Sequence, residues 1–110
     1  MPLYNPRRLD VVRHRIRGYR VPFLLILQHH DIPASTRLAA PVTPSLPGDV
    51  DVLAPRISIG GRELRVRLLD TSAVSRSLFS EVEASAVDIA DSISTALDII
   101  LHGYPVRLPI

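Results

Sequence analysis

The stretch "FLLILQ", Phe23 to Gln28, opens with five consecutive apolar residues and shows no alternation. Successive side chains of a strand point to opposite faces, so this pattern suits a strand covered on both sides or one lying in an interface between two copies. Around it, "LDVVRHRIRGYRVPFLLILQHHDI" reads as two strands joined by a turn at Gly18. In the first, Arg13, Arg15 and Arg17 alternate with Val12, His14 and Ile16, and the period of two lines the three arginines along one face. Pro22 has no N–H for a ladder, which places an edge or a bulge at the start of the second strand. From Ile32 to Pro55 the prolines at 33, 41, 44, 47 and 55 make a loop-rich excursion, with "TRLAAPV" as its one short strand.

"RISIGGRELRVRLLD" is the clearest hairpin. Ile57 and Ile59 alternate with polar residues, Gly60 and Gly61 supply the positive φ of a two-residue turn, and Leu64, Val66 and Leu68 alternate with Arg65 and Arg67. The pattern then changes period. Ile89, Ile93, Ala96, Leu97, Ile100 and Leu101 recur at helical spacing and predict a helix over 86–102, with Asp88, Asp91 and Asp98 mostly off the apolar stripe. Ser85 and Asp88 have the spacing of a capping box, Gly103 falls where a left-handed terminating residue belongs, and Pro105 blocks continuation. Short strands followed by one terminal helix give a mainly β, α+β fold: a small antiparallel barrel or sheet with a helix packed on it.

Composition narrows the class. Apolar residues make up 46% of 110 residues and are spread along the chain, so one domain with one core is expected and no membrane span. The start "MPLYNPRRLD" lacks the apolar core of a secretory signal and the chain has no cysteine, which fits a cytoplasmic protein. All 13 basic residues are arginine, but the net charge is only +2, and the absence of lysine reads as genomic base composition rather than a phosphate-binding surface. Together, "FLLILQ" and the stripe Ile93, Leu97, Ile100 offer more apolar surface than one small barrel needs, so a homodimer is expected.

Candidate chemistry is sparse. His29, His30 and Asp31 are metal-ligand types, with His29 and Asp31 on one strand face; no second cluster accompanies them, so they read as a polar strand end and no metal is expected. There is no cysteine, no G-x-S-x-G and no Ser, His and carboxylate set whose spacing implies proximity. Gly60-Gly61 lacks the pattern of a phosphate loop. Arg65 and Arg67 with the first arginine face could track a nucleic-acid backbone. Only Tyr4, Tyr19, Phe23, Phe79 and Tyr104 are available for stacking, so direct nucleic-acid binding is not expected. The residues alone thus describe a small β-rich binder without a cofactor rather than an enzyme.

From Pro55 to Tyr104 the sequence resembles the CcdB family of type II toxin-antitoxin toxins. The matching pieces are Pro55, Ile59-Gly60 at the turn, Arg65, Asp70 closing the hairpin, Val74, Glu81, Ile93, Ala96 and Gly103. Upstream, Gln28 and "DIPASTRLAAPV" resemble the family's Gln, Asp-Ile and strand ending in Pro. The resemblance implies an SH3-like antiparallel barrel with a long C-terminal helix over a single domain, 1–110, with extensions at 1–8 and 105–110. It further implies a homodimeric, non-enzymatic toxin that binds the A subunit of DNA gyrase, traps the cleaved-DNA complex and is neutralised by a CcdA-like antitoxin with a disordered segment. The target contact would fall on Leu101, His102, Gly103 and Tyr104. Here His102 stands where the family has Trp in its terminal Trp-Gly-Ile, Tyr104 stands at the aliphatic end, and "PVRLPI" continues beyond it. Ribonuclease toxins share this barrel, so an RNA-directed toxin, or a binding module that has lost gyrase poisoning, are the alternatives.

Overall fold

The computed structural model describes residues 5–16 and 21–103. Seven strands and one helix follow in order: β1 (Asp10–His14), β2 (Phe23–Ile26), β3 (Thr36–Thr43), β4 (Arg56–Ile59), β5 (Arg62–Val66), β6 (Ser72–Ser75), β7 (Phe79–Ser85) and α1 (Ala90–His102). All pairings are antiparallel, in the order β4-β5-β3-β2-β1-β7, with β6 also on β3. β6 and β7 are separated only by the 3-10 turn Arg76–Leu78, yet one lies on β3 and the other on β1, two strands away. The sheet must therefore curl, and the result is a half-barrel with one C-terminal helix, as an SH3-like barrel with a terminal helix requires. Among the described residues no helix is long and apolar enough to cross a membrane.

The unbroken apolar run is explained within one chain. All four residues of β2 are buried, Leu25 and Ile26 completely, because β2 is central and both of its faces are covered. On one face Phe23 and Leu25 join Val11, Ala40, Val42, Leu64 and Val66 beneath the helix; on the other Leu24 and Ile26 meet Val12, Ala39 and Phe79 inside the curl. The helix contributes Ile93 and Ala96, both fully buried, with Leu97 and Ile100 partly buried against the same cluster. Ile93 therefore has no surface to offer a second copy. Within one chain the core takes up Phe23 to Ile26 and Ile93, while Leu97 and Ile100 of the same stripe stay partly exposed.

Both prolines of the central strands have local explanations. Pro22 does not mark an edge, since β2 lies between β1 and β3; it precedes the first ladder position and its carbonyl accepts the His14 N–H at 3.0 Å. Pro41 lies inside β3 opposite Leu24, and its carbonyl accepts the Arg67 N–H at 2.8 Å. In an extended residue the nitrogen points to the same side as the carbonyl, and on that side β3 changes partner, from β6 at Ala39 to β5 at Val42. The missing donor falls in that gap.

The glycine hairpin forms as expected, with Gly60 at φ 58 and Gly61 at φ 80 between the facing pair Ile59 and Arg62. The helix begins later than the sequence predicts. Ser85 Oγ accepts the Val87 N–H at 3.3 Å at the start of a 3-10 turn, Val87–Ile89, whose N-cap is Ala86, and α1 follows it without a side-chain cap. Two strands had no counterpart in the sequence reading, β6 and β7. Only Phe79 of β7 is buried, so the strand carries no apolar alternation. The expected Gly18 turn and Arg17 lie outside the described residues. Of the expected N-terminal extension, residues 5–8 are described: Pro6 is buried and Asn5 Oδ1 accepts from Arg37 Nη2 at 2.5 Å.

The helix-to-sheet contact gives a direct test. Ile93→Ala should lower unfolding free energy by about 2–5 kcal/mol in urea titrations, the usual range for emptying a filled core position. Leu101→Ala, on a side chain left 71% exposed, should change it by less than about 0.5 kcal/mol.

Candidate functional site

Helix α1 ends in a projecting tip. Its apolar stripe keeps Ile93 and Ala96 against the sheet, but by Leu101 the helix has run past its support, and Leu101, His102 and Gly103 are all exposed. The Gly103 N–H donates to the Ile99 carbonyl at 2.8 Å, which closes the last turn. Its backbone, at φ 81 and ψ 176, is not the left-handed helical cap the sequence predicts but a region open to glycine alone. A Cβ there would meet no atom within 4 Å, so substitution is opposed by backbone conformation rather than by crowding within the chain. The tip thus presents an aliphatic side chain, an imidazole beside the negative end of the helix dipole, and a fixed exit direction for the chain. Tyr104, the fourth residue assigned to this site, lies outside the described residues.

The arginines that the sequence lines up on β5 are engaged elsewhere. Arg65 and the residue after β5, Arg67, reach back to the loop of residues 44–55. Arg65 donates to Asp51 Oδ1 at 2.6 Å, to the Ala54 carbonyl at 3.0 Å and to Ser45 Oγ at 3.1 Å. Arg67 grips both carboxylate oxygens of Asp49, at 2.7 and 3.2 Å, and also donates to the Pro44 carbonyl at 2.7 Å and to Thr43 Oγ1. The side chains of Arg65 and Arg67 are only 8% and 12% exposed, so neither guanidinium is presented to a phosphate backbone. Arg13 is likewise paired, with Glu83 at 2.7 Å across the β1–β7 ladder, and its guanidinium lies 5.5 Å from the Phe23 ring centre. The sequence reading missed Asp49 and Asp51; nothing in their spacing points to β5, and only the course of the loop brings them there.

These contacts set the local electrostatics. Hydrogen bonding by Arg67, then by the Leu46 N–H, pulls the Asp49 carboxyl down to about 2. Asp51 is lowered by the hydrogen bond and charge of Arg65, helped by Arg56. Beside the clamp an open cleft runs between Asp51 and Pro55 of the loop with Arg56 of β4 on one side and Asp91, Ser92 and Thr95 of α1 on the other. Its charged groups are of both signs and face solvent.

His29, His30 and Asp31 lie in a turn after β2, not on a strand face, and the turn draws all three together. No protein-family model matches the chain, and no curated protein matches it.

A depressed folded-state pKa means that Asp49 stabilises the fold above its unfolded value near 4, and that this contribution disappears as pH falls toward 2. Asp49→Asn should therefore unfold at lower urea than the parent at pH 7, and the gap between the two should close between about pH 4 and pH 2. A gap of constant size across that interval would show that the carboxylate charge is not its source.

Proposed function

We propose that the chain is a CcdB-like toxin of a type II toxin-antitoxin system, a non-enzymatic cytoplasmic protein that binds the A subunit of DNA gyrase and traps the cleaved-DNA complex. Three features support the reading: the order of matching residues from Pro55 to Gly103, the half-barrel with its terminal helix, and the exposed helix tip. The tip is the observation that carries it. Leu101, His102 and Gly103 project from the body of the protein, at the position where the resemblance puts the target contact, and Gly103 holds a conformation that only glycine takes without strain.

His102 in place of a tryptophan reduces the stacking area that anchors an interface, so inhibition is weaker than a tryptophan would give. The occupied state of Arg65 and Arg67 favours action by binding over action on RNA, and purified protein is expected to leave a mixed RNA substrate uncut. An antitoxin segment that orders on binding would neutralise the toxin. A homodimer belongs to this proposal only through partly buried Leu97 and Ile100 with exposed Leu101; light scattering that finds only monomer at micromolar concentration removes it.

The deciding assay is DNA supercoiling and cleavage-complex formation with the host's own gyrase, comparing the full chain, a chain ending at Tyr104, and Gly103→Glu. The variant should lose inhibition by about tenfold or more, because a side chain at positive φ strains the exit from the helix and obstructs close approach of the target. The shortened chain should differ in potency from the full one. Three superimposable inhibition curves would reduce this end of the protein to a helix stop.

A further inference from the structure

The connection between the two central strands is built to hold three donor side chains together. Beyond the last paired residues of β2 and β3, Ile26 and Ala39, the ladder is prolonged by the N–H groups of Leu27 and Gln28, both donating to the Leu38 carbonyl. The Gln28 side chain returns the contact by accepting the Leu38 N–H at 3.1 Å. A turn then closes from the Ile32 N–H to the His29 carbonyl at 3.2 Å. Inside it His29 Nδ1 accepts the Asp31 N–H at 3.1 Å.

This geometry brings one possible ligand atom of each side chain close to the others. His29 Nδ1 is 3.8 Å from Asp31 Oδ2 and His30 Nε2 is 3.7 Å from Asp31 Oδ1, beyond hydrogen-bond range in both cases. One donor atom from each of the three residues lies within 4.8 Å of the others. His30 Nδ1 is buried without a hydrogen-bond partner, so Nε2 is the nitrogen that this ring can offer to a ligand.

We propose that His29 Nδ1, His30 Nε2 and the Asp31 carboxylate bind one divalent transition-metal ion of the zinc, cobalt(II) and nickel(II) class, with the remaining position open to water. Two imidazoles and one carboxylate suit these borderline ions, whereas calcium and magnesium take oxygen donors. Metal bonds of about 2.0–2.2 Å place tetrahedral donors about 3.3–3.5 Å apart, so the widest gap has to close by about 1.5 Å. Asp31 can rotate to do this, because its side chain is 81% exposed. The two imidazole rings, stacked 4.2 Å apart, have to splay, and His29 Nδ1 exchanges the Asp31 N–H for the metal. The site is independent of the toxin reading.

The test uses the untagged full chain with zinc in equilibrium dialysis and with cobalt(II) followed by visible absorption. The expected result is one saturable ion per chain, with affinity reduced about tenfold or more in each of His29→Gln, His30→Gln and Asp31→Asn, and unchanged in His102→Gln. Zinc should also raise the unfolding temperature of the parent and leave that of the triple variant unmoved. Asp31→Asn, on the most exposed of the three side chains, keeps the test valid if His30→Gln perturbs the turn. No saturable uptake, uptake in the triple variant equal to the parent's, or loss of uptake in His102→Gln would each overturn the site.

Discussion

Val11 and Val12 are neighbours in β1, point to opposite faces of the sheet, and are both fully buried. A strand of this kind cannot lie on the surface of a flat sheet; it needs apolar cover on both sides. α1 covers one side with Ile93 and Ala96. The sheet itself covers the other, by curling until Phe79 closes over Val12, Leu24 and Ile26. The irregular register between β1 and β7 around Val12 belongs to the same requirement, because bulges increase local twist and let a sheet turn on itself. Leu9 takes part as well. At φ 72 it is the non-glycine residue with positive φ among those described, and it is pinned there by hydrogen bonds to Ile26 on one side and Ala86 on the other.

What could be read from the sequence follows from where each element's signal resides. The hairpin from Arg56 to Val66 was legible because its turn chemistry and its alternation are both local, and the helix because six apolar positions repeat on one face. The doubly covered strand was half legible: "FLLILQ" required cover on two faces but could not say whether a second chain or the same chain supplies it. β6 and β7 were invisible because strands exposed along most of their length leave no periodic mark, and Val82 is 42% exposed despite lying in a paired strand. Of the helix tip, Gly103 was legible through its place after the last periodic residue. Its particular backbone conformation was not, since the exit angle depends on tertiary context. The grouping at His29, His30 and Asp31 depends on a turn rather than on strand alternation, and so its geometry was absent from the pattern.

The arginine-only basic composition reads differently once its contacts are known. Whatever the origin of the missing lysine, the fold uses properties that lysine lacks. Arg67 binds Asp49 through two nitrogens and a backbone carbonyl through one of them, and Arg65 holds a carboxylate, a hydroxyl and a carbonyl at once. A flat fork of five donors can satisfy that many acceptors in fixed directions; an ammonium on a flexible stem cannot. The proline-rich loop, which has no strand or helix to organise it, is thus ordered from β5 outward by two guanidinium groups.

The pairing of β1 with β7 also fixes when the protein can complete itself during synthesis. Asp10 faces Ser85, so the outer edge of β1 finds its partner only after most of the chain has left the ribosome. Until then β1, β2 and β3 can form a meander, but the outer edges of β1 and β3 stay open and the sheet lacks both the Phe79 closure and the helix. Such an intermediate exposes the kind of surface that aggregates or recruits chaperones. A fold dominated by this long-range closure is also slow relative to a helical protein of equal length. Its final cooperative step must wait for residues that lie next to the helix at the end of the described chain, so truncations that remove β7 should leave a nascent sheet rather than a smaller stable domain.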